Sequence, residues 1–162
     1  VRPPYIFDES LFSLFMSLFK YKDTDDQALA WKNILKDLVS NKPMDRLLCG
    51  DVGFGKTEIA IRASFVVSYS GKQVAVLVPT TVLSLQIYKE FQNRFIDFPQ
   101  KVSWFCRLTS QKSRKKIIKG KEVSFISFDD FIKNSTKIIG VKIDSLENTL
   151  LTEALKLEPW WG

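Results

Sequence analysis

The octet Gly50-Asp51-Val52-Gly53-Phe54-Gly55-Lys56-Thr57 constrains this chain more than any other segment. It has the spacing G-x-x-x-x-G-K-[ST]. Before it stands a short apolar run, Arg46-Leu47-Leu48-Cys49, which reads as a buried strand; after it, Glu58 to Phe65 reads as a helix. Glycines at these positions let the backbone curl, so that successive N–H groups point inward at phosphate oxygens. The helix that opens near Lys56 adds the positive end of its dipole. Lys56 is expected to reach the β- and γ-phosphates, and Thr57 to offer a hydroxyl to Mg²⁺. A glycine-rich turn with an incidental lysine is the alternative. It leaves unexplained why the turn opens an amphipathic helix.

The rest of the chain alternates strand and helix signals. A helix is expected from Asp26 to Val39, with Ala28, Trp31, Leu35 and Leu38 on one face, ended by Asn41-Lys42-Pro43. Gln73 to Val78 is near-continuously apolar, as suits a parallel strand covered on both faces. Pro79 stops it, and Thr80 or Thr81 caps a helix carrying Val82, Leu85, Tyr88 and Phe91 on one stripe. Val102 to Phe105 and Val123 to Ser127 read as strands, with a basic helix or loop from Gln111 to Lys119 between them. Further on, Thr136 to Ile143 reads as a strand and Ser145 to Leu157 as a helix. This alternation predicts βαβ units, an α/β fold with a parallel, doubly wound sheet, and a phosphate loop at the carboxyl edge of that sheet. At the N-terminus, the apolar run Leu11 to Phe19 is far too short to span a bilayer. Asp8 and Glu9 precede it where a secretory signal would carry basic residues, and no cleavage site follows. With Asp8 as N-cap it reads as a helix burying a broad face.

At 162 residues and 45% hydrophobic composition, the chain is long and apolar enough for one domain with a real core. Its 24 basic against 18 acidic residues, a formal net charge of +6, favour a polyanionic partner. The cluster Lys112, Arg114, Lys115, Lys116, Lys119 and Lys121 contains no acid; it reads either as phosphate contact or as a solvated helix face. Cys49 and Cys106, with no histidine and no CxxC pair, argue against zinc or a disulfide scaffold and for two reduced core cysteines in a cytoplasmic protein.

Three segments carry a resemblance. Met44 to Glu58 resembles the first motif of the transcription-repair coupling factors, and Gly71 to Leu83 their motif Ia. Phe19-Lys20-Tyr21-Lys22-Asp23-Thr24-Asp25-Asp26-Gln27 is similar to their adenine-recognition segment. The match covers about residues 19 to 107 in the right order and spacing. RecG-like relatives share the general scheme. The family consists of superfamily 2 double-stranded DNA translocases that displace stalled RNA polymerase and recruit excision-repair proteins. The resemblance implies a RecA-like first motor lobe at residues 19–132, led in by a helix within residues 1–18 and followed by a divergent or truncated tail at 133–162. It implies ATP and Mg²⁺ as cofactors, held by Gly50, Asp51, Val52, Gly53, Phe54, Gly55, Lys56, Thr57 and Glu58. Gln27 would read the adenine edge through an amide that both donates and accepts. Phe19 or Tyr21 would stack on the base, with core packing as the alternative. Pro79, Thr80 and Thr81 would present a helix N-terminus and hydroxyls to a DNA phosphate, and Arg107 matches an arginine near the DNA track.

The chain also departs from the family pattern. A motor ATPase needs a carboxylate pair on a later strand to hold Mg²⁺ and orient the attacking water. No Asp-Glu follows the phosphate loop; Asp144, after Ile138 to Ile143, is the candidate, although Lys142 is out of place in a buried strand. Ser127-Phe128-Asp129-Asp130 stands where the family has Gly-Thr-His, and a second motor lobe with its arginine finger is absent. Two functions are therefore expected in competition: an ATP-binding DNA translocase lobe, or a truncated, non-catalytic remnant that binds nucleotide or DNA without turnover. A small P-loop kinase is disfavoured, because motif Ia and the upstream glutamine have no place in one.

Overall fold

The computed structural model describes residues 2–50, 55–78, 80–105, 109–119, 123–127, 140–143 and 150–153. Helix α1 (Glu9–Ser17) starts where the Asp8 carboxylate accepts the Leu11 N–H at 2.9 Å. Its buried face is aromatic. Phe15 stacks on Phe65 with ring centroids 4.1 Å apart, and Phe12 stacks on Trp31 at 5.0 Å. The apolar run thus buries its broad face within this chain, while Leu14 and Leu18 point outward.

Helix α2 (Asp25–Leu38) opens with a capping box. The Thr24 hydroxyl accepts the Gln27 N–H, and the Gln27 side-chain carbonyl accepts the Thr24 N–H. That lock turns Gln27 inward. The buried face runs through Gln27, Ile34 and Leu38, about one residue away from the expected Ala28 stripe, and Ala28 is exposed.

Strand β1 (Arg46–Cys49) leads towards helix α3 (Lys56–Tyr69), in which every residue from Glu58 to Val67 is buried. Strand β2 (Val74–Val78) is buried along its whole length, as its continuous apolarity predicts. Helix α4 (Thr81–Phe95) follows. It buries Ser84, Ile87, Phe91 and Phe95, and the predicted stripe fails at its first member, since Val82 is 81% exposed. Ser84 sits inside because its hydroxyl accepts the Trp104 indole N–H at 3.0 Å and donates to the Thr81 carbonyl at 2.8 Å. Strand β3 (Val102–Phe105), helix α5 (Gln111–Lys119), strand β4 (Val123–Ser127), strand β5 (Gly140–Ile143) and strand β6 (Leu150–Glu153) complete the described elements.

All six strands form one sheet in the order β1-β6-β5-β2-β4-β3. β2 runs parallel to β4 (Val76 opposite Phe125) and to β5 (Val76 opposite Val141), and β4 parallel to β3. β6 runs antiparallel to both β1 and β5, with Leu151 opposite Leu48 and Ile143. The sheet is therefore mixed, a correction to the all-parallel expectation. The helix expected over Ser145 to Leu157 is also corrected, because residues 150–153 are strand. Helix propensity is a weak prior, and here the open hydrogen-bonding edges of β1 and β5 take Leu150 to Glu153 as their partner. Since β6 opposes both neighbours, β1, β5 and β2 point the same way.

Two further expectations are overturned at β1. Only Leu48 is buried there, while Leu47 is 54% exposed and Cys49 faces outward. As the terminal strand of the sheet, β1 is covered on one face, and its side chains alternate in and out. Cys49 is therefore not a core cysteine; Cys106 lies outside the described residues.

Candidate nucleotide and nucleic-acid site

The carboxyl ends of β1 and β2 lie at the same edge of the sheet, so Gly50 and Thr80 both follow strands at that edge. Gly55 is the N-cap of α3 with φ +78° and ψ +28°, a left-handed conformation that glycine adopts without strain. Its carbonyl accepts the Glu58 N–H at 3.1 Å. A Cβ added at Gly55 would run into the Gln27 amide nitrogen. The base-reading candidate and the last glycine of the octet are thus packed against each other, although 28 residues separate them.

Lys56 is buried at the first turn of α3, and its ammonium donates to the Gly50 carbonyl. This bond ties the start of the octet to its end. Thr57 follows on the same turn, half-buried. Asp51, Val52, Gly53 and Phe54 lie outside the described residues, as do Pro79, Arg107 and Asp144. Thr80 is the N-cap of α4: its hydroxyl accepts the Leu83 N–H at 3.2 Å, which decides between Thr80 and Thr81 as the cap. A hydroxyl used this way keeps its own O–H and a second lone pair. On α5, Lys112, Lys115 and Lys116 are exposed. Lys142 stands within β5, in register with Leu77 and Thr152.

Glu58, read from the resemblance as a nucleotide contact, is buried in an ion cluster. Its carboxylate accepts from the Arg62 Nε at 3.0 Å and from Arg94 at 2.9 Å. Arg62 is 0% exposed and forks onto Asp23 through two further bonds of 2.8 and 2.6 Å. Burial alone would lower the pKa of Arg62, but hydrogen bonds and charge from Asp23 and Glu58 outweigh it and hold the guanidinium above its ordinary value. Arg94 also donates to the Phe15 carbonyl at 3.0 Å and lies 4.3 Å over the Phe15 ring. Phe19 sits beside both guanidiniums, 5.3 Å from Arg62 and 5.5 Å from Arg94, and meets Tyr21 edge-on at 5.7 Å. Phe19 is half-buried, whereas Tyr21 is 76% exposed. Sequence reasoning missed Arg62, Asp23 and Arg94 as parts of this site. The Glu58–Arg62 spacing of i, i+4 was a usable signal; nothing in the sequence pairs Glu58 with Arg94.

Among the described residues no group of His, Cys, Asp or Glu side chains gathers as a metal site, and no helix is long and apolar enough to cross a membrane. A central sheet whose first strand leads through a glycine-rich loop into a buried helix is the architecture of a RecA-like α/β lobe. The sequence model described as DEAD/DEAH box helicase matches residues 24–149, and the chain belongs to that family. Within it, the chain is similar to transcription-repair coupling factors, as the motifs imply. It is 49% identical over 106 residues to that of Bacillus subtilis, covering 65% of this chain and 9% of the relative. To that of Borreliella burgdorferi it is 44% identical over 135 residues, covering 83% and 12%. The Escherichia coli protein matches at 45% over 111 residues, covering 68% and 10%. The chain thus spans about a tenth of the length of these curated relatives. Among solved structures, that of RecG bound to a three-way DNA junction superposes with a TM-score of 0.72 at 30% identity, covering 82% of this chain and 19% of RecG.

Proposed function

We propose that this chain is the ATP-binding first motor lobe of a transcription-repair coupling factor, a double-stranded DNA translocase that displaces stalled RNA polymerase and recruits excision repair. The carrying observation is the packing of the Gln27 amide against Gly55, next to buried Lys56. A side chain suited to the adenine edge and a cation suited to β/γ-phosphates meet at one helix start, and that pairing fits one adenosine triphosphate. Thr57 would give Mg²⁺ one hydroxyl oxygen, the remaining ligands coming from phosphates and water, as that ion prefers. The bound ion would offset charge on the phosphates; the chain's own residues bind and orient them.

In this reading the octet Gly50–Thr57 cradles the phosphates, Tyr21 is better placed than Phe19 to stack on the base, and Glu58 acts through Arg62 and Arg94. Pro79, Thr80, Thr81 and Arg107 track a DNA backbone without reading its sequence. Residues 19–132 supply the motor lobe from α2 to β4, β5 and β6 complete its sheet between β1 and β2, and α1 leads into it. The parent protein works in the cytoplasm. The comparisons lend no support to a non-catalytic remnant.

Calorimetry with a non-hydrolysable ATP analogue tests the proposal. Lys56→Ala removes a charge-assisted contact of about 2–3 kcal/mol and is expected to weaken binding by tens of fold. The unaltered chain is expected to prefer ATP over GTP, because guanine leaves the Gln27 amide mispaired. Unchanged affinity in Lys56→Ala would remove the phosphate-loop assignment, and equal binding of ATP and GTP the base-reading role.

A further inference from the structure

We infer that Arg62 and Asp23 form a clamp that positions the base-reading segment, so that adenine selectivity depends on a residue that never touches the nucleotide. The inference rests on the reading of Gln27 as the adenine contact. Residues 18–24 connect α1 to α2 without helix or strand, and they carry Phe19, Tyr21 and Asp23. A loop of this kind costs conformational entropy to hold in one shape, so something must hold it. The fork from Arg62 to Asp23 does so, with both carboxylate oxygens engaged. The next residue is Thr24, whose capping box fixes Gln27, and Gln27 abuts Gly55. The path from Arg62 to the base-reading amide is therefore a chain of direct contacts, one peptide unit long between clamp and cap.

The other end of the clamp is equally fixed. Arg62 lies less than two turns beyond Lys56 on the same buried helix. Its remaining donor edge is held by Glu58, which Arg94 holds in turn. One rigid helix thus carries the phosphate contact at its start and the anchor of the base segment further along. Loosening the clamp changes where Gln27 stands relative to Gly55 but leaves the first turn of α3 in place. Arg62 and Asp23 are positioning residues.

The experiment compares two conservative variants. Asp23→Asn weakens the fork at its quarter-exposed end, where the side chain is 26% exposed, and Arg62→Lys keeps the charge without the planar fork. For each, the affinities for ATP, GTP and inorganic tripolyphosphate are measured on the whole chain, with a thermal melt alongside. Loss of the ATP-over-GTP preference by about tenfold, with tripolyphosphate binding unchanged, is the expected result. A preference retained in both variants overturns the clamp. So does a parallel fall in ATP, GTP and tripolyphosphate affinity, which is what a merely structural role would give. If Arg62→Lys does not fold, Asp23→Asn decides alone. Equal affinity of the unaltered chain for ATP and GTP would instead overturn the Gln27 reading itself, and the two failures are told apart by that control.

Discussion

Removing the Glu58 carboxylate should destabilise the chain more than any exposed substitution. The Asp23, Glu58, Arg62 and Arg94 cluster is formally neutral: two carboxylates face two guanidiniums. Glu58→Ala leaves a net positive charge beside Arg62, which is 0% exposed. Breaking a buried pair by deleting one partner costs about 3–5 kcal/mol. The lower end applies here, because Arg62 keeps its fork on Asp23 and Arg94 keeps the Phe15 carbonyl. For a chain of this size about 3 kcal/mol corresponds to a fall of about 6–12 °C in the thermal midpoint. Glu58→Gln retains an acceptor for Arg62 and should lose less. Thermal unfolding followed by circular dichroism measures both, and repeating it with Arg94→Met gives the coupling between the two side chains. Added salt should change these differences little, because the charges are shielded from solvent. A midpoint within about 2 °C of the unaltered chain for Glu58→Ala would refute the closed cluster.

Gly55→Ala forces a left-handed φ on a residue with a Cβ and drives that Cβ into Gln27; it should cost about 1–2 kcal/mol in urea unfolding and also erase any ATP-over-GTP preference. The isolated chain should bind ATP yet release no phosphate, with or without double-stranded DNA, because an arginine supplied from outside the nucleotide lobe is worth about 10³–10⁵ in rate; Lys56-dependent, DNA-stimulated turnover would contradict this and make Asp144→Asn the next variant. DNA binding should be weak and blind to sequence, with a salt slope rising by about 0.9 per phosphate contacted, as read from fluorescence anisotropy at two salt concentrations. A tight, sequence-dependent signal would count against backbone tracking.

What the sequence revealed and what it hid divide along the range of the interactions. The order of elements from α1 to β4 was legible because each is set locally: Asp8 and Thr80 cap helices, and the apolar Val74–Val78 demands cover on both faces. Helix faces were misjudged by about one residue where a polar side chain takes an inward position. Gln27 does so through its capping box and Ser84 through Trp104, and apolar periodicity is blind to both. The strand at Leu150–Glu153 reads as a helix in sequence because its place is set by pairing, with β5 on one side and with β1, some hundred residues away in the chain, on the other. The octet and Gln27 could be picked out as candidates from spacing and resemblance. The ion cluster that joins them could not, since Asp23, Arg62 and Arg94 meet only after the fold has formed.

Helix α4 is a rod of 15 residues, about 22 Å long, with Thr80 at its head and Arg94 in its last turn. Arg94 is bolted to Glu58 two residues after Lys56, and to the end of α1 through the Phe15 carbonyl. The far end of the rod is thus fixed to the phosphate-loop helix, while Ser84 near its head is held by Trp104, and Thr80 stands at the same sheet edge as Gly50. The helix that starts at Lys56 and the helix headed by Thr80 are therefore fastened to each other through Glu58 and Arg94.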